Sequence, residues 1–195
     1  MQLTLDISGN DGVWVAQLAA DRGIEKATVR ATWGTLGVDS QYTANIYNAL
    51  ACGIEPVHYH WYNPHRDPAI QAKHFAQYVV EPGDLMVDLE DYKGVTGYIG
   101  VAYELKEFTK NLDIYTHRRI LFYASPAYIK AYLSQASANW LNDYGLVVAN
   151  WDVAHPYVPL PWYPDTQVAW QFTAKAFAHD FGLSQCLQCS LYWWY

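Results

Sequence analysis

Asp88 and Glu90 stand two residues apart in the stretch MVDLEDY, residues 86–92. Their neighbours Leu85, Met86, Val87 and Leu89 are apolar, the pattern of a buried strand. Strand side chains alternate faces, so the two carboxyls point the same way, about 7 Å apart along the backbone, with Asp91 just after them. Burying a carboxylate without partners costs several kcal/mol, so such a pair implies either a dense structural network or chemistry that needs shifted acidity. Asp6 ends another alternating stretch, residues 3–7. Converging carboxylates fit glycoside hydrolysis, where one protonates the leaving oxygen while another stabilises positive charge developing on the sugar. The competing reading is structural: Asp6 caps a loop, and Asp88 pairs with Arg30 or Arg119.

The elements that must position these groups alternate along the chain. Strands are expected at residues 3–7, 26–32, 54–61, 83–90 and 119–124, and helices at 13–21, 42–52, 68–80, 94–112 and 126–136. Asp67 and Ser125, each followed by proline, mark two of the helix starts. The rhythm then changes. Residues 146–151, 168–172 and 186–192 read as strands, with the proline-rich loop HPYVPLPWYPD between the first two. About thirty residues follow that loop, fewer than the ~40 below which a domain seldom folds unaided, so residues 1–195 are expected to form a single domain. Eight strands, five of them followed by helices, suit an α/β barrel of the (β/α)8 kind whose last helices are lost or shortened. Catalytic groups in such barrels lie at the C-terminal ends of strands, where Asp6, Asp88 and Glu90 all fall.

Composition narrows the function. With 9 Trp and 17 Tyr among 195 residues, aromatic faces are available for a groove as well as a core. The net charge is −7 and no basic run occurs, which argues against nucleic-acid binding. No stretch carries the ~20 apolar residues of a spanning helix, and MQLTLDISGN lacks the pattern of a signal peptide, so a soluble protein without membrane insertion is expected. Three cysteines give no disulfide framework. His58, His60 and His65 suggest a metal site only weakly, because no second histidine pair stands at another strand end, and Cys186 and Cys189 form a lone CxxC. No metal and no cofactor are expected, since nucleotide-binding and serine-nucleophile motifs are missing as well.

The ordered series LDISG, VRATWGT, GVDSQY, YHW followed by DPAIQAKHF, VDLEDY, ILFYASPAYI, LVVANW and VAWQFTAK resembles family 25 glycoside hydrolases, the Chalaropsis-type lysozymes, many of them encoded by bacteriophages. The resemblance covers nearly the whole chain. It implies a single TIM-like, flattened (β/α)5β3 barrel that cleaves the β-1,4 bond between N-acetylmuramic acid and N-acetylglucosamine in bacterial peptidoglycan. It also implies action at the cell wall, outside the cell or after release as a phage lysin. Carried over by position, Glu90 matches the general acid, Asp88 the second carboxylate of the DxE motif and Asp6 the aspartate of the first strand. Retention is implied, with the substrate's acetamido oxygen as nucleophile and Asp88 orienting it. Tyr59, Tyr123, Trp151 and Trp170 match residues lining sugar subsites. Two positions depart from the pattern. Trp33 stands where a glutamate is frequent, offering a stacking platform, and Gln188 stands where the last strand commonly carries an aspartate. The loss of that charge leaves a rival reading open, a weakly active or inactive wall-binding or phage structural module on the same barrel. Oligomeric state is not legible in the sequence.

Overall fold

The computed structural model describes residues 1–79, 81–90, 100–186 and 188–195. Asp91 and Tyr92, the start of the helix expected at 94–112, Val80 and Leu187 lie outside the described residues.

Eight strands close a barrel. They are β1 (Gln2–Ile7), β2 (Ile24–Trp33), β4 (Glu55–Trp61), β5 (Asp84–Leu89), β6 (Ile120–Ala124), β7 (Gly145–Ala149), β8 (Gln167–Phe177) and β9 (Gln188–Trp194); a two-residue β3 (Gly37–Val38) is appended to β2. The run β1-β2-β4-β5-β6-β7-β8 is parallel throughout, while β9 is antiparallel to both β8 and β1 and completes the ring. This is the expected mixed α/β barrel. The antiparallel closure follows from the chain's last third, where β8 turns directly into β9 without a crossover helix.

The helices are α1 (Ala16–Ala20), α2 (Tyr42–Ala51), α3 (Pro68–Tyr78), α4 (Val101–Thr116) and a short α5 (Pro126–Tyr128). The Asp67 carboxylate caps α3 by accepting from Ile70 N–H at 2.8 Å, and the Ser125 hydroxyl accepts from Tyr128 N–H at 3.2 Å. Three expectations need correcting. The first helix begins at Ala16 rather than residue 13, because Trp14 forms a β-bridge with Leu183 and Val15 N–H donates to Gly182 O. The helix expected at 126–136 is one α turn followed by a π turn at Ile129–Leu133 and a 3-10 segment at Ala136–Asp143. There the Ser134 hydroxyl donates to Lys130 O at 2.9 Å, a bond that competes with the regular ladder. β8 runs to Phe177 and pairs as far as Phe177 opposite Gln188, so β8 and β9 form an arm longer than the strands expected there.

Two apolar layers hold the fold. Inside the barrel, Val57, Met86, Leu121, Val147, Ala169 and Trp194 pack together beneath Tyr59, Tyr123 and Tyr192. Between barrel and helices lies a larger layer in which Phe122, fully buried, meets the rings of Trp140, Tyr144 and Trp162 at 6.0, 5.6 and 6.0 Å. Phe122→Ala is expected to cost about 3–5 kcal/mol of folding free energy in denaturant titration, since the three rigid rings cannot collapse into the space.

Candidate active site

Strand parity selects the side chains that reach the barrel's mouth. Asp6 is paired with Thr28, Arg30 with Tyr59, Trp61 with Asp88, Asp88 with Tyr123, and Gln171 with Tyr192, so these residues share the inner face. Glu90 follows the last residue of β5 and keeps the same parity. A cleft of about 450 Å³ opens over them, lined among others by Asp6, Asn10, Arg30, Trp33, Tyr59, Asp88 and Glu90. A second hollow of about 890 Å³ is lined by Glu90, Tyr123, Tyr128, Tyr132, Asn150 and Trp151, with small residues between them. Glu90 lines both, and so stands where the two join.

The carboxyls are held differently. Asp6 accepts from Thr28 Oγ1 at 3.0 Å and from Tyr192 Oη at 2.9 Å. Asp88 is 8% exposed, and its Oδ1 has no hydrogen-bond partner among the described residues. Neither guanidinium named above pairs with it: Arg30 Nε donates to Asp39 at 2.8 Å, and Arg119 pairs with Asp84 at 3.2 Å. The structural reading of Asp88 therefore lacks its ion pair. An acceptor left unpaired on a residue that lines the cleft is suited to a donor brought by a ligand.

Burial raises the pKa of all three carboxyls, so each holds its proton more tightly. Asp6 is pushed up to about 7 by desolvation, against the hydrogen bonds from Tyr192 and Thr28, with Asp11 and Glu90 adding repulsion. Asp88 is raised well above the ordinary carboxylate range by desolvation and then by the charges of Glu90 and Asp6, with Arg30 opposing. Glu90 is raised chiefly by desolvation from the protein crowding its carboxyl, although its side chain opens onto the groove. Three carboxyls so close cannot all ionise together near neutrality, the condition under which one acts as an acid while another stays charged.

Loops fasten the rim. Asp39 accepts from Gly9 N–H at 2.8 Å and Gln41 N–H at 2.9 Å as well as from Arg30, tying the turn after β1 to β2. Trp33 lies over Gly37, where a Cβ would come within 2.2 Å of the indole, and the Arg30 guanidinium sits 5.2 Å from the indole centroid. The β3 hairpin, which strand periodicity in two residues could not announce, thus props Trp33 at the cleft wall.

Of the residues singled out from sequence, Asp6, Asp88, Glu90, Tyr59 and Trp33 gather in the first cleft, and Tyr123 and Trp151 line the second hollow. β7 ends at Ala149, so Trp151 is a loop residue; its Nε1 reaches back to Gln171 Oε1 at 2.7 Å. Trp170 and Gln188 depart from expectation and line neither hollow. Trp170 has the parity opposite to Ala169 and Gln171, packs on the outer layer and donates to Asn150 O at 2.7 Å, bracing the loop from behind. Gln188 is exposed at the far end of the β8–β9 arm. Gln171 and Tyr192 went unremarked, although an amide between Ala169 and Thr173 on an inward-facing register was a readable signal.

Histidine 58 and histidine 60 face the helices. His58 Nδ1 lies 2.7 Å from Tyr42 Oη and its Nε2 3.1 Å from Pro82 O; His60 Nδ1 lies 2.8 Å from Thr32 Oγ1, with Gln71 Oε1 3.3 Å from Nε2. Burial lowers them to about 4 and about 3, so both are neutral structural groups. Among the described residues no cluster of three or more His, Cys, Asp or Glu is arranged to hold a metal ion, and no helix is long and apolar enough to cross a membrane.

Comparison with known proteins gives one family: the model described as glycosyl hydrolases family 25 matches residues 5–181. No match to a curated protein sequence was found. Solved structures share the fold. A bacterial lysozyme from Streptomyces coelicolor aligns at 22% identity over 99% of this chain and 91% of its own, with a TM-score of 0.83. A muramidase from Acremonium alcalophilum aligns at 19% identity over 100% and 94%, with a TM-score of 0.85. The CTP1L endolysin aligns at 22% identity over 100% of this chain and 67% of its own, with a TM-score of 0.84.

Proposed function

The chain belongs to glycosyl hydrolases family 25 and is a glycoside hydrolase, and from that premise we propose that it is a muramidase acting on bacterial peptidoglycan. The bond cleaved is the β-1,4 linkage from N-acetylmuramic acid to N-acetylglucosamine. Glu90, at the junction of the two hollows, protonates the departing glycosidic oxygen. Asp88 accepts the acetamido N–H of the sugar in the first cleft, which aims the acetamido oxygen at the anomeric carbon and disperses the positive charge that oxygen acquires. Asp6 stabilises the same charge from the opposite wall. Water then opens the ring so formed, with Glu90 taking its proton, and the product keeps the configuration of the substrate.

The observation that carries this reading is Asp88, a residue lining the cleft whose buried Oδ1 has no hydrogen-bond partner among the described residues, beside an acid whose proton affinity is raised. The first hollow also has the aromatic walls, Trp33 and Tyr59, that sugar rings pack against. Trp33→Ala is expected to raise KM for soluble peptidoglycan fragments roughly 3- to 30-fold with kcat little altered, as loss of a stacking face worth about 1–2 kcal/mol would do.

Product analysis tests the bond. Purified walls are digested and the soluble fragments reduced with borohydride. The proposal expects the sugar alcohol of N-acetylmuramic acid at the new ends. The alcohol of N-acetylglucosamine would contradict the bond assigned, and walls that bind the protein without releasing fragments would contradict hydrolysis of this substrate.

A further inference from the structure

Among the described residues lining the first cleft, Arg30 is the one cation, set in a wall shared with Asp6, Asp88 and Glu90. Carboxylates repel the acyl oxygens that a guanidinium attracts. The Arg30 side chain is 20% exposed, and among the described residues its guanidinium makes one hydrogen bond, from Nε to Asp39 Oδ2 at 2.8 Å. A guanidinium carries five N–H donors, so the four on its terminal nitrogens are left for a ligand. Asp39 draws its other hydrogen bonds from Gly9 N–H and Gln41 N–H. The guanidinium carbon lies 5.2 Å from the centroid of the Trp33 indole, which is 39% exposed and lines the same cleft. Donors and an apolar face stand side by side.

We infer that Arg30 and Trp33 form the site for the 3-O-lactyl arm of the muramic sugar, Arg30 donating to the carbonyl oxygen of the arm and Trp33 packing against its methyl group. The inference rests on the proposed reading of the cleft and names the residues by which it selects one of the two wall sugars. In that reading Glu90 meets the glycosidic oxygen on carbon 1 of the sugar and Asp88 the acetamido group on carbon 2. The lactyl ether is on carbon 3, beside the acetamido group and one carbon further from the bond broken. Arg30 and Trp33 belong to β2, which lies beyond β4 from β5, on the side of Glu90 away from the second hollow. Position and chemistry therefore agree. An N-acetylglucosamine ring in the same place has only a hydroxyl at carbon 3 and leaves the four donors to water. In the wall the lactyl carboxyl is joined as an amide to the stem peptide, so directed hydrogen bonds to a neutral carbonyl, and not net charge, carry the selection.

Two uncharged disaccharides separate this role from a structural one. The first is N-acetylglucosaminyl-N-acetylmuramic acid with its lactyl carboxyl as the methyl amide, and the second is N,N'-diacetylchitobiose, the same framework without the arm. Affinities are measured by calorimetry for wild type, Arg30→Lys and Arg30→Met. Wild type is expected to bind the lactyl disaccharide roughly 10- to 100-fold more tightly, the range for a hydrogen bond to a charged group. In Arg30→Met the ratio should fall to about 4-fold or less, what the methyl group against Trp33 retains. Arg30→Lys keeps a cation beside Asp39 but loses the fork of donors, so its ratio should fall between the two, and it answers alone if Arg30→Met does not fold. Damage to the fold or to the Asp39 tie weakens both ligands alike and leaves the ratio in place. A ratio unmoved in the variants overturns the inference, as does a wild type without preference for the lactyl disaccharide. Should the ratio fall as expected while digested walls yield only N-acetylglucosamine ends, the bond assignment fails and the lactyl site stands. Should muramic ends appear with the ratio unmoved, the lactyl site alone fails.

Discussion

Glu90→Gln is expected to lower the rate of peptidoglycan hydrolysis by ~10²- to 10⁴-fold, the range supplied by a positioned general acid. The amide preserves size and hydrogen-bonding capacity but has no proton to give to the departing oxygen. Folding should be nearly untouched, because residue 90 lies beyond the last paired residue of β5 with its side chain open to the groove. Matched thermal melts beside a rate loss measured by wall turbidity would separate chemistry from stability. The wild-type pH profile follows from the same group. Glu90 must carry its proton to act, and burial raises it above the ordinary glutamate value, so activity declines on the alkaline side at a pH higher than an exposed glutamate would set. Asp88 and Asp6 titrate with it, so the limb reports the coupled cluster rather than one residue.

Asp88→Asn is expected to produce two effects of opposite sign. Hydrolysis should fall by roughly 10²- to 10³-fold, the scale for removing one electrostatic contact to the transition state. Thermal stability near pH 7.5 should rise by roughly 2–6 °C, since relief of about 1–2 kcal/mol shifts a domain of this size by that much. The direction follows from linkage. A carboxyl whose pKa is raised in the folded state binds its proton more tightly there than in the unfolded one. Its favourable contribution is complete below the unfolded value near 3.9 and is lost as pH rises through the folded value. At neutral pH, where the unfolded carboxyl is ionised, wild type therefore carries the cost of either holding the Asp88 proton or burying its charge, and the variant does not. The advantage should shrink as melts are repeated toward pH 4, where wild type holds the proton. Asp6→Asn is a poorer stabiliser, because both Asp6 oxygens accept hydrogen bonds and an amide nitrogen would face a donor.

Much of this site was legible because strands impose a period of two. Once Asp88 and Glu90 are assigned to a strand, their common direction follows, and counting strands places Asp6 on the same mouth. The same periodicity, carried one step further, separates Trp170 from Gln171: the aromatic residue packs on the barrel's outer layer and the amide lies on the inner face. Gln188 was read from a motif alignment at a place where β8 and β9 shift register twice, and such irregularities leave no mark in the sequence. The Arg30–Asp39 pair joins two motifs, VRATWGT and GVDSQY, through a two-residue hairpin too short to show a pattern. Helix starts were read correctly where a side chain caps them, at Asp67 and Ser125. They were misread at residues 13–15, where tertiary pairing with the β8–β9 connection overrides helical spacing.

The role of Glu90 can be isolated by changing how much the leaving group needs a proton. Wild type and Glu90→Gln would be compared on a soluble peptidoglycan fragment and on an aryl glycoside of the same sugar whose phenol leaves readily as an anion. The expected result is a loss of ~10²-fold or more on the natural linkage and a much smaller loss of bond cleavage on the activated one, because only the first requires the acid. Equal losses on both substrates, or no loss on either, would contradict the assignment of Glu90 as the proton donor.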